Sequence, residues 1–572
     1  MSQTLSASRS LSVRPPSGTH ENAHSSRSAL GPLTTLFFWC LGIALAAIQA
    51  WSFRFITTVD GIAYLDMSDA TFRGFPWGRA IDGVWSPLYP LVLGIGRHLL
   101  RGAGEIQNAH YINVGIFVFS FACFEFLRRT IKSSTGGLRA ASAWGFDVIA
   151  YALFLWASIV AITFKAIRPD MLMSGWLYLA SGLTLAIRAR ADSWRNYILL
   201  GAVLGVGYLA KAPMLYIGLI LIACTLNTRR LRETAPKAAA AAGILLLIGS
   251  LYFVPLSAKV GRFTFGQSSE YNYLGHIDQI GMYQETLGYA GGRFENAPRL
   301  LLAHPQVYSF DTGQSVTFPL RFEPARWVVG ARPRFYLPSQ ITVIRENAVI
   351  YRTPLLELAG AIAGTLVLAS GSRYRFRALL ANWPLIIVGV AGLGMYLVVH
   401  VEERYVGAFF LLLLLGLMSG ACAAVKMPEK LFAFLSAVIA LSLLIPMVRD
   451  VTRDYRKYRT QPTGEWLQAA NELSATGVRP GDKVARICDR FADLNWARQL
   501  RATVVSEVRF DRTDEFWSAP PEVQERALRA MADRGAGVVV AHPNKQYAPP
   551  ESWRRLGQSG YYYRELTKVP AR

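Results

Sequence analysis

Carboxylates are scarce in this chain. Its 572 residues hold 38 Asp and Glu against 60 Lys and Arg, and charged side chains make up only 17%. Soluble domains carry roughly 25%. Apolar residues reach 52% and mean hydropathy is +0.26. This balance excludes an ordinary soluble protein and indicates a polytopic membrane protein with some soluble parts. Cysteine is scarce as well: Cys40, Cys123, Cys224, Cys422 and Cys488 are scattered, with no C-x-x-C pair. That argues against a disulfide framework and against a zinc or redox site built on cysteine. Four of the five lie in apolar runs, where free cysteine packs as a small hydrophobe. Neither G-x-G-x-x-G nor G-x-x-x-x-G-K-[ST] occurs at a strand-to-helix turn, so a nucleotide site has no motif. The net charge of +22 would suggest nucleic acid in a soluble chain. Here the basic residues fall in short clusters between apolar runs, the pattern of membrane topology, and no nucleic-acid partner is expected.

What the chain has in quantity is apolar runs. They occur near 33–53, 106–127, 143–164, 171–187, 196–210, 213–227, 238–257, 354–370, 378–400, 405–425 and 431–448. By hydropathy and length they predict about eleven transmembrane helices. Residues 1–32, rich in Ser, Arg and Pro, read as a disordered tail. The first run reads as a retained anchor, since Ile48-Gln49-Ala50 is a poor signal-peptide cleavage site. Leu88–Leu100 is too short to span and holds Pro90 and Arg97, so it reads as a helix lying in the interface.

Basic residues mark alternate loops: Arg128, Arg129 and Lys132; Arg188, Arg190 and Arg195; Arg229, Arg230, Arg232 and Lys237; Arg373, Arg375 and Arg377; Lys426 and Lys430. The positive-inside rule puts these loops, with the tail, in the cytoplasm. Residues 54–105, the 258–352 loop and everything after 449 then face outward. The predicted organisation is a tail (1–32), a transmembrane domain (33–448, with outer loops 54–105 and 258–352) and an extracytoplasmic domain (449–572). In the last, strands near 482–487, 503–508, 537–542 and 560–566 alternate with helices, which predicts a small α/β domain with a mostly parallel sheet.

The outward ends of the spans carry the chemistry-bearing residues. "FITTVDGIAYLDMSDATFRGFPWGRAIDGVWSPLYP" (55–90) holds four aspartates, Asp60, Asp66, Asp69 and Asp82. A carboxylate at the membrane boundary suits a general base for an acceptor or an oxygen ligand for a divalent metal; it equally suits a helix cap. Asp66 and Asp69, three apart, share a helical face. "FKAIRPDMLMSGW" offers Lys165, Arg168 and Asp170, either a base-and-cation group or a helix-end carboxylate complementing the dipole. "GYLAKAPM" places Lys211 between apolar runs, where it snorkels or finds an anionic partner. "HVEERYVGAFF" joins Glu402, Glu403, Arg404 and Tyr405, a phosphate-binding group or a local ion pair. One pocket gathering these would suit a substrate with a phosphate head and a lipid tail.

In order and spacing these motifs resemble the GT-C class of membrane glycosyltransferases, with the closest likeness to the bacterial protein-mannosyltransferase-like and aminoarabinose-transferase-like branches. "VDGIAYLDMSDA" is similar to the first outer-loop motif, with Asp60 at the position of the catalytic aspartate. "WSPLYPLVLG" resembles the interfacial helix and "RPDMLM" the second acidic motif, at Asp170. "YLAKAPM" resembles a Leu-x-Lys-Gly-like segment with Ala212 in place of the glycine. "EERYVGAFF" resembles the Arg-Tyr motif before a late span, with Gly407 where proline is common. The resemblance covers about the first 425 residues. It implies an inverting transferase on the extracytoplasmic face of a bacterial inner membrane, using a polyprenyl-phosphate sugar and a glycan, lipid or protein acceptor. Asp60 would be the base and Asp170 would orient the acceptor or the surroundings of Asp60. Lys211 and Arg404 would bind donor phosphate, with Lys165, Arg168, Asp66, Glu402, Glu403 and Tyr405 as further substrate-binding candidates. A divalent metal is a possible cofactor. The alternative is a transporter or flippase of a lipid-linked saccharide.

Overall fold

The computed structural model describes residues 30–72, 80–100, 104–134, 140–190, 193–281, 283, 294–310, 316–369, 382–424, 427–459 and 464–566. The tail expected at 1–32 falls outside these up to residue 29, as do Arg373, Arg375, Arg377 and Lys426.

The first half is helical throughout: α1 (Leu30–Ser52), α2 (Val59–Phe72), α3 (Leu88–Leu99), α4 (Glu105–Ser134), α5 (Ala140–Leu155), α6 (Asp170–Ala189), α7 (Trp194–Ala210), α8 (Met214–Ala223) and α9 (Leu231–Val260). The 258–352 region supplies α10 (Ser268–His276), strands β1 (Arg299–Leu302) and β2 (Val307–Ser309), α11 (Pro319–Phe322) and α12 (Leu337–Ile350). Then come α13 (Arg352–Glu357), α14 (Ala359–Ala369), α15 (Trp383–Leu397), α16 (Glu403–Ala424) and α17 (Glu429–Tyr458). Among the described residues, seven helical stretches are long and apolar enough to cross a membrane: Gly31–Ser52, Glu105–Ser134, Ser142–Ile162, Asp170–Ala189, Thr228–Val260, Glu403–Cys422 and Glu429–Tyr458. The other four expected runs also carry helices, but shorter ones. Pro213 caps α8 directly after the end of α7, and the 354–370 run is broken at Leu358.

Local sequence explains how the elements start and stop. Pro87 and Pro169 precede α3 and α6, and Asp170 sits in the first turn of α6, where a carboxylate complements the helix dipole. α5 runs on as a π-helical stretch, Trp156–Ile162, that ends at Thr163 with φ +64°. Gly407 is required by packing: a Cβ there would lie 2.7 Å from Ala161 Cβ, so α16 approaches that stretch closely.

The C-terminal unit adds α18 (Glu465–Ala475), β3 (Lys483–Cys488), α19 (Asn495–Leu500), β4 (Thr503–Val508), α20 (Thr513–Trp517), α21 (Pro521–Asp533), β5 (Val538–His542), β6 (Arg554–Arg555) and β7 (Tyr562–Glu565). Its sheet runs β1-β2-β4-β3-β5-β7-β6. Among the described residues, β3–β4 and β3–β5 are the parallel pairings and the other four are antiparallel. The expected mostly parallel sheet is therefore wrong for the edges. The 299–309 hairpin docks on one side, and short returns at the chain's end build the other.

Candidate active site

A cavity of about 400 Å³ opens where α2, the α7–α8 turn, α10, α11 and the start of α16 meet, and it is lined by Asp60, Asp170, Lys211, Glu402, Arg404 and Tyr405, among others. The side chains arrive from four separate segments. Asp60 lies in the first turn of α2, Asp170 in the first turn of α6, and Lys211 is the C-cap of α7. Arg404 and Tyr405 stand in the first turn of α16.

Charge in the cavity is organised in pairs. Asp60 Oδ1 accepts from Arg321 Nη2. Asp170 Oδ1 accepts from Lys211 Nζ, and Arg404 Nη1 lies 3.7 Å from Asp170 Oδ2. Asp170 Oδ2 is buried with no hydrogen-bond donor. Arg404 Nη2 donates to Glu402 Oε1 at 2.5 Å and to the Tyr405 hydroxyl at 2.9 Å. Lys211 Nζ sits 4.0 Å from the centre of the Tyr405 ring, within cation–π range. The His276 and His400 rings stack at 3.8 Å. Burial and the neighbouring His400 push His276 down to about 4, which keeps it neutral at neutral pH. Burial works against ionisation of Glu402, yet His400 and Arg404 hold its carboxyl well below the usual range.

Four expected site residues are placed elsewhere. Lys165 pairs with Asp454 Oδ2 at 3.2 Å and is half-exposed; the turn after Thr163 aims it at α17, away from the cavity. Arg168 borders the site beside Glu402 but does not line the cavity. Glu403 lies on the Glu357 side of α16. Asp66 is buried under the C-terminal unit, where it accepts from Arg498 and Thr317. The six-residue offset from Asp60 turns it off the cavity face, as helical geometry requires.

Sequence reasoning missed Arg321, which pairs with an aspartate 261 positions away. An arginine inside "FPLRFEP" was the available signal, but nothing local names its partner. It also missed Tyr64, Trp85, Tyr271, His276 and His400, all on the cavity wall. Trp85 Nε1 donates to the Arg321 carbonyl at 3.0 Å, and the Arg321 guanidinium stands 5.6 Å from the Trp85 ring.

The turn carrying Trp85 depends on Asp82. Its Oδ1 accepts from the Val84 and Trp85 amides at 2.6 and 3.0 Å, while Oδ2 is buried without a partner. Burial pushes this carboxyl up to about 7. The folded chain then keeps a proton that an unfolded aspartate releases near pH 4. The stability Asp82 contributes is full below about pH 4 and is lost as pH rises through about 7. An Asp82→Asn variant is expected to remove a slope of up to about 1.4 kcal/mol per pH unit across that window. Unfolding midpoints of wild type and variant at pH 5 and pH 8 check it; parallel profiles would exclude the effect.

The cavity does not fit a divalent cation. Each of its described carboxylates already faces a guanidinium or ammonium group. Among the described residues no three His, Cys, Asp or Glu side chains are grouped to hold a metal.

No family model matches the chain, and no curated protein matches it in sequence. Solved structures do match. ArnT from Cupriavidus metallidurans in the apo state superposes with a TM-score of 0.54 at 13% identity, covering 95% of this chain and 100% of that one. The Archaeoglobus fulgidus oligosaccharyltransferase complex with Zn and sulfate gives 0.53 at 13% identity, covering 89% and 68%. The same archaeal enzyme, AglB, with an inhibitory peptide and a dolichol-phosphate gives 0.50 at 13% identity, covering 90% and 70%. The chain therefore has the fold of GT-C glycosyltransferases, the fold its motifs resemble.

Proposed function

We propose that this protein transfers a sugar from a polyprenyl-phosphate donor to an acceptor at the extracytoplasmic surface of a bacterial inner membrane. The observation that carries the reading is a single cavity whose lining brings together Asp60, Lys211 and Arg404. The acceptor's O–H or N–H attacks the anomeric carbon, and Asp60 takes the proton. The bond from that carbon to the phosphate oxygen breaks with inversion, and the charge left on the polyprenyl phosphate falls to Lys211 and Arg404. Preorganised cations facing developing negative charge are usually the largest catalytic contribution. Asp170 holds Lys211 and Glu402 holds Arg404, so the two cations are positioned before transfer. Further support comes from the shared fold, since AglB is solved with a dolichol-phosphate bound.

The orientation follows from the basic loops. With about eleven spans, counting the shorter helices α7, α8, α13–α14 and α15, the clusters at 128–132, 188–195 and 229–237 share one side. The cavity and the C-terminal unit then lie on the other side.

The test is transfer by purified protein from a panel of radiolabelled polyprenyl-phosphate sugars to membrane extracts. Transfer from one donor supports the reading. No transfer from any donor, with movement of the lipid across proteoliposomes, would overturn it in favour of a transporter.

A further inference from the structure

The C-terminal unit meets the helical bundle through a buried, charge-balanced network. Arg498, on α19, is only 2% exposed and reaches three carboxylates. Its Nη1 donates to Asp66 Oδ1 at 2.6 Å, and its Nη2 to Asp69 Oδ2 at 2.9 Å and Glu105 Oε1 at 2.6 Å. Its Nε donates to Glu105 Oε2 at 2.9 Å. Arg501 adds a second contact to Asp69, and Arg97, on α3, lies 2.8 Å from Asp69 Oδ1 and bonds Glu105. Three guanidinium groups thus meet three carboxylates, two of them on α2.

A second link runs beside the first. Thr317 donates its N–H and hydroxyl to Asp66, at 3.1 and 2.8 Å, while its carbonyl accepts from Val504 N on β4 at 3.0 Å. Arg321 follows four residues later. Apolar packing repeats the arrangement: one buried cluster joins Val59 and Ile62, which flank Asp60, with Phe318 and Leu320, beside Arg321, and with Val504 and Trp496 of the C-terminal unit. Both members of the Asp60–Arg321 pair therefore ride on segments anchored to the same small sheet.

We propose that the C-terminal unit is a positioning device for the Asp60–Arg321 pair, with Arg498 acting through Asp66 and Thr317. Arg498 touches no part of the cavity; it fixes the rotation of α2 and the distance from α2 to the 316–322 segment. This rests on the proposed function. A displacement of about 1 Å at a reacting group costs on the order of 100-fold in rate, and a buried fork holding three carboxylates is stiff enough to prevent one.

Arg498→Lys keeps the charge and loses the fork; Thr317→Val loses one hydrogen bond at nearly constant volume. Both are expected to lower kcat by about 10- to 100-fold. KM for the donor, and binding of unsugared polyprenyl phosphate to protein in nanodiscs, stay at wild type, because Lys211 and Arg404 are untouched. A kcat loss with unchanged lipid binding supports the proposal; wild-type kcat in either folded variant, or kcat and lipid binding falling together, overturns it. Amide hydrogen exchange separates this from failure of the proposed function. Faster exchange at 59–69 and 316–322 in Arg498→Lys supports the anchoring even if no donor is ever turned over, and unchanged exchange there overturns it.

Discussion

Asp60→Asn is expected to leave a folded protein whose rate of sugar transfer falls by about 10³-fold, within the 10²- to 10⁴-fold range of a lost general base. The substitution is close to isosteric, and the Asn carbonyl still accepts from Arg321, so the 316–322 segment keeps its hold on α2. What disappears is the proton acceptor. Binding of the donor is expected to stay unchanged, because Lys211 and Arg404 pair with Asp170 and Glu402 rather than with Asp60. Single-turnover transfer, read beside direct binding of polyprenyl phosphate, checks both halves. A folded variant with a rate within threefold of wild type would remove Asp60 from the role of base. Asp60→Ala makes a useful contrast. It removes the base and also strands the partly buried Arg321 guanidinium, so it loses stability as well as rate.

Helices were legible because their signal is local. Apolar runs, Pro87 and Pro169 ahead of α3 and α6, and Gly261 at φ +75° after α9 each act within a turn of where they stand. The carboxylates and cations of the cavity were legible for a related reason: a charge beside an apolar run is costly, so Asp60, Asp170, Lys211 and Arg404 stand out. What the charges pair with was not legible. Lys165 and Lys211 look alike in sequence, each a lysine after an apolar run, yet one turns to Asp454 and the other to Asp170. The difference comes from packing between helices far apart in the chain. The partner of Asp66, expected among the substrate-binding residues, was hidden for the same reason, since Arg498 lies 432 positions away. The sheet's edges were hidden in the same way, because β1 and β2 read as irregular loop until β4 supplies a partner.

Lys211→Met presents the sharpest separation of stability from function. Asp170 is almost fully buried, and Lys211 is the one described side chain donating to its Oδ1. Among the described residues, removing that ammonium leaves the buried carboxylate with Arg404 as its one cationic ion-pair partner, 3.7 Å away and already committed to Glu402. Breaking a buried pair from one side costs roughly 3–5 kcal/mol, and the unfolding midpoint in detergent is expected to fall accordingly. Adding Asp170→Asn removes the stranded charge, and most of the lost stability is expected to return, since a buried pair replaced on both sides is often neutral. Donor binding is not expected to return with it. If Lys211 holds the phosphate, the double variant is stable and still binds polyprenyl phosphate at least tenfold more weakly than wild type, about 1.4 kcal/mol. If Lys211 only neutralises Asp170, stability and binding recover together. The double-mutant cycle, read on both quantities, decides between a lysine that serves the fold and one that serves the substrate.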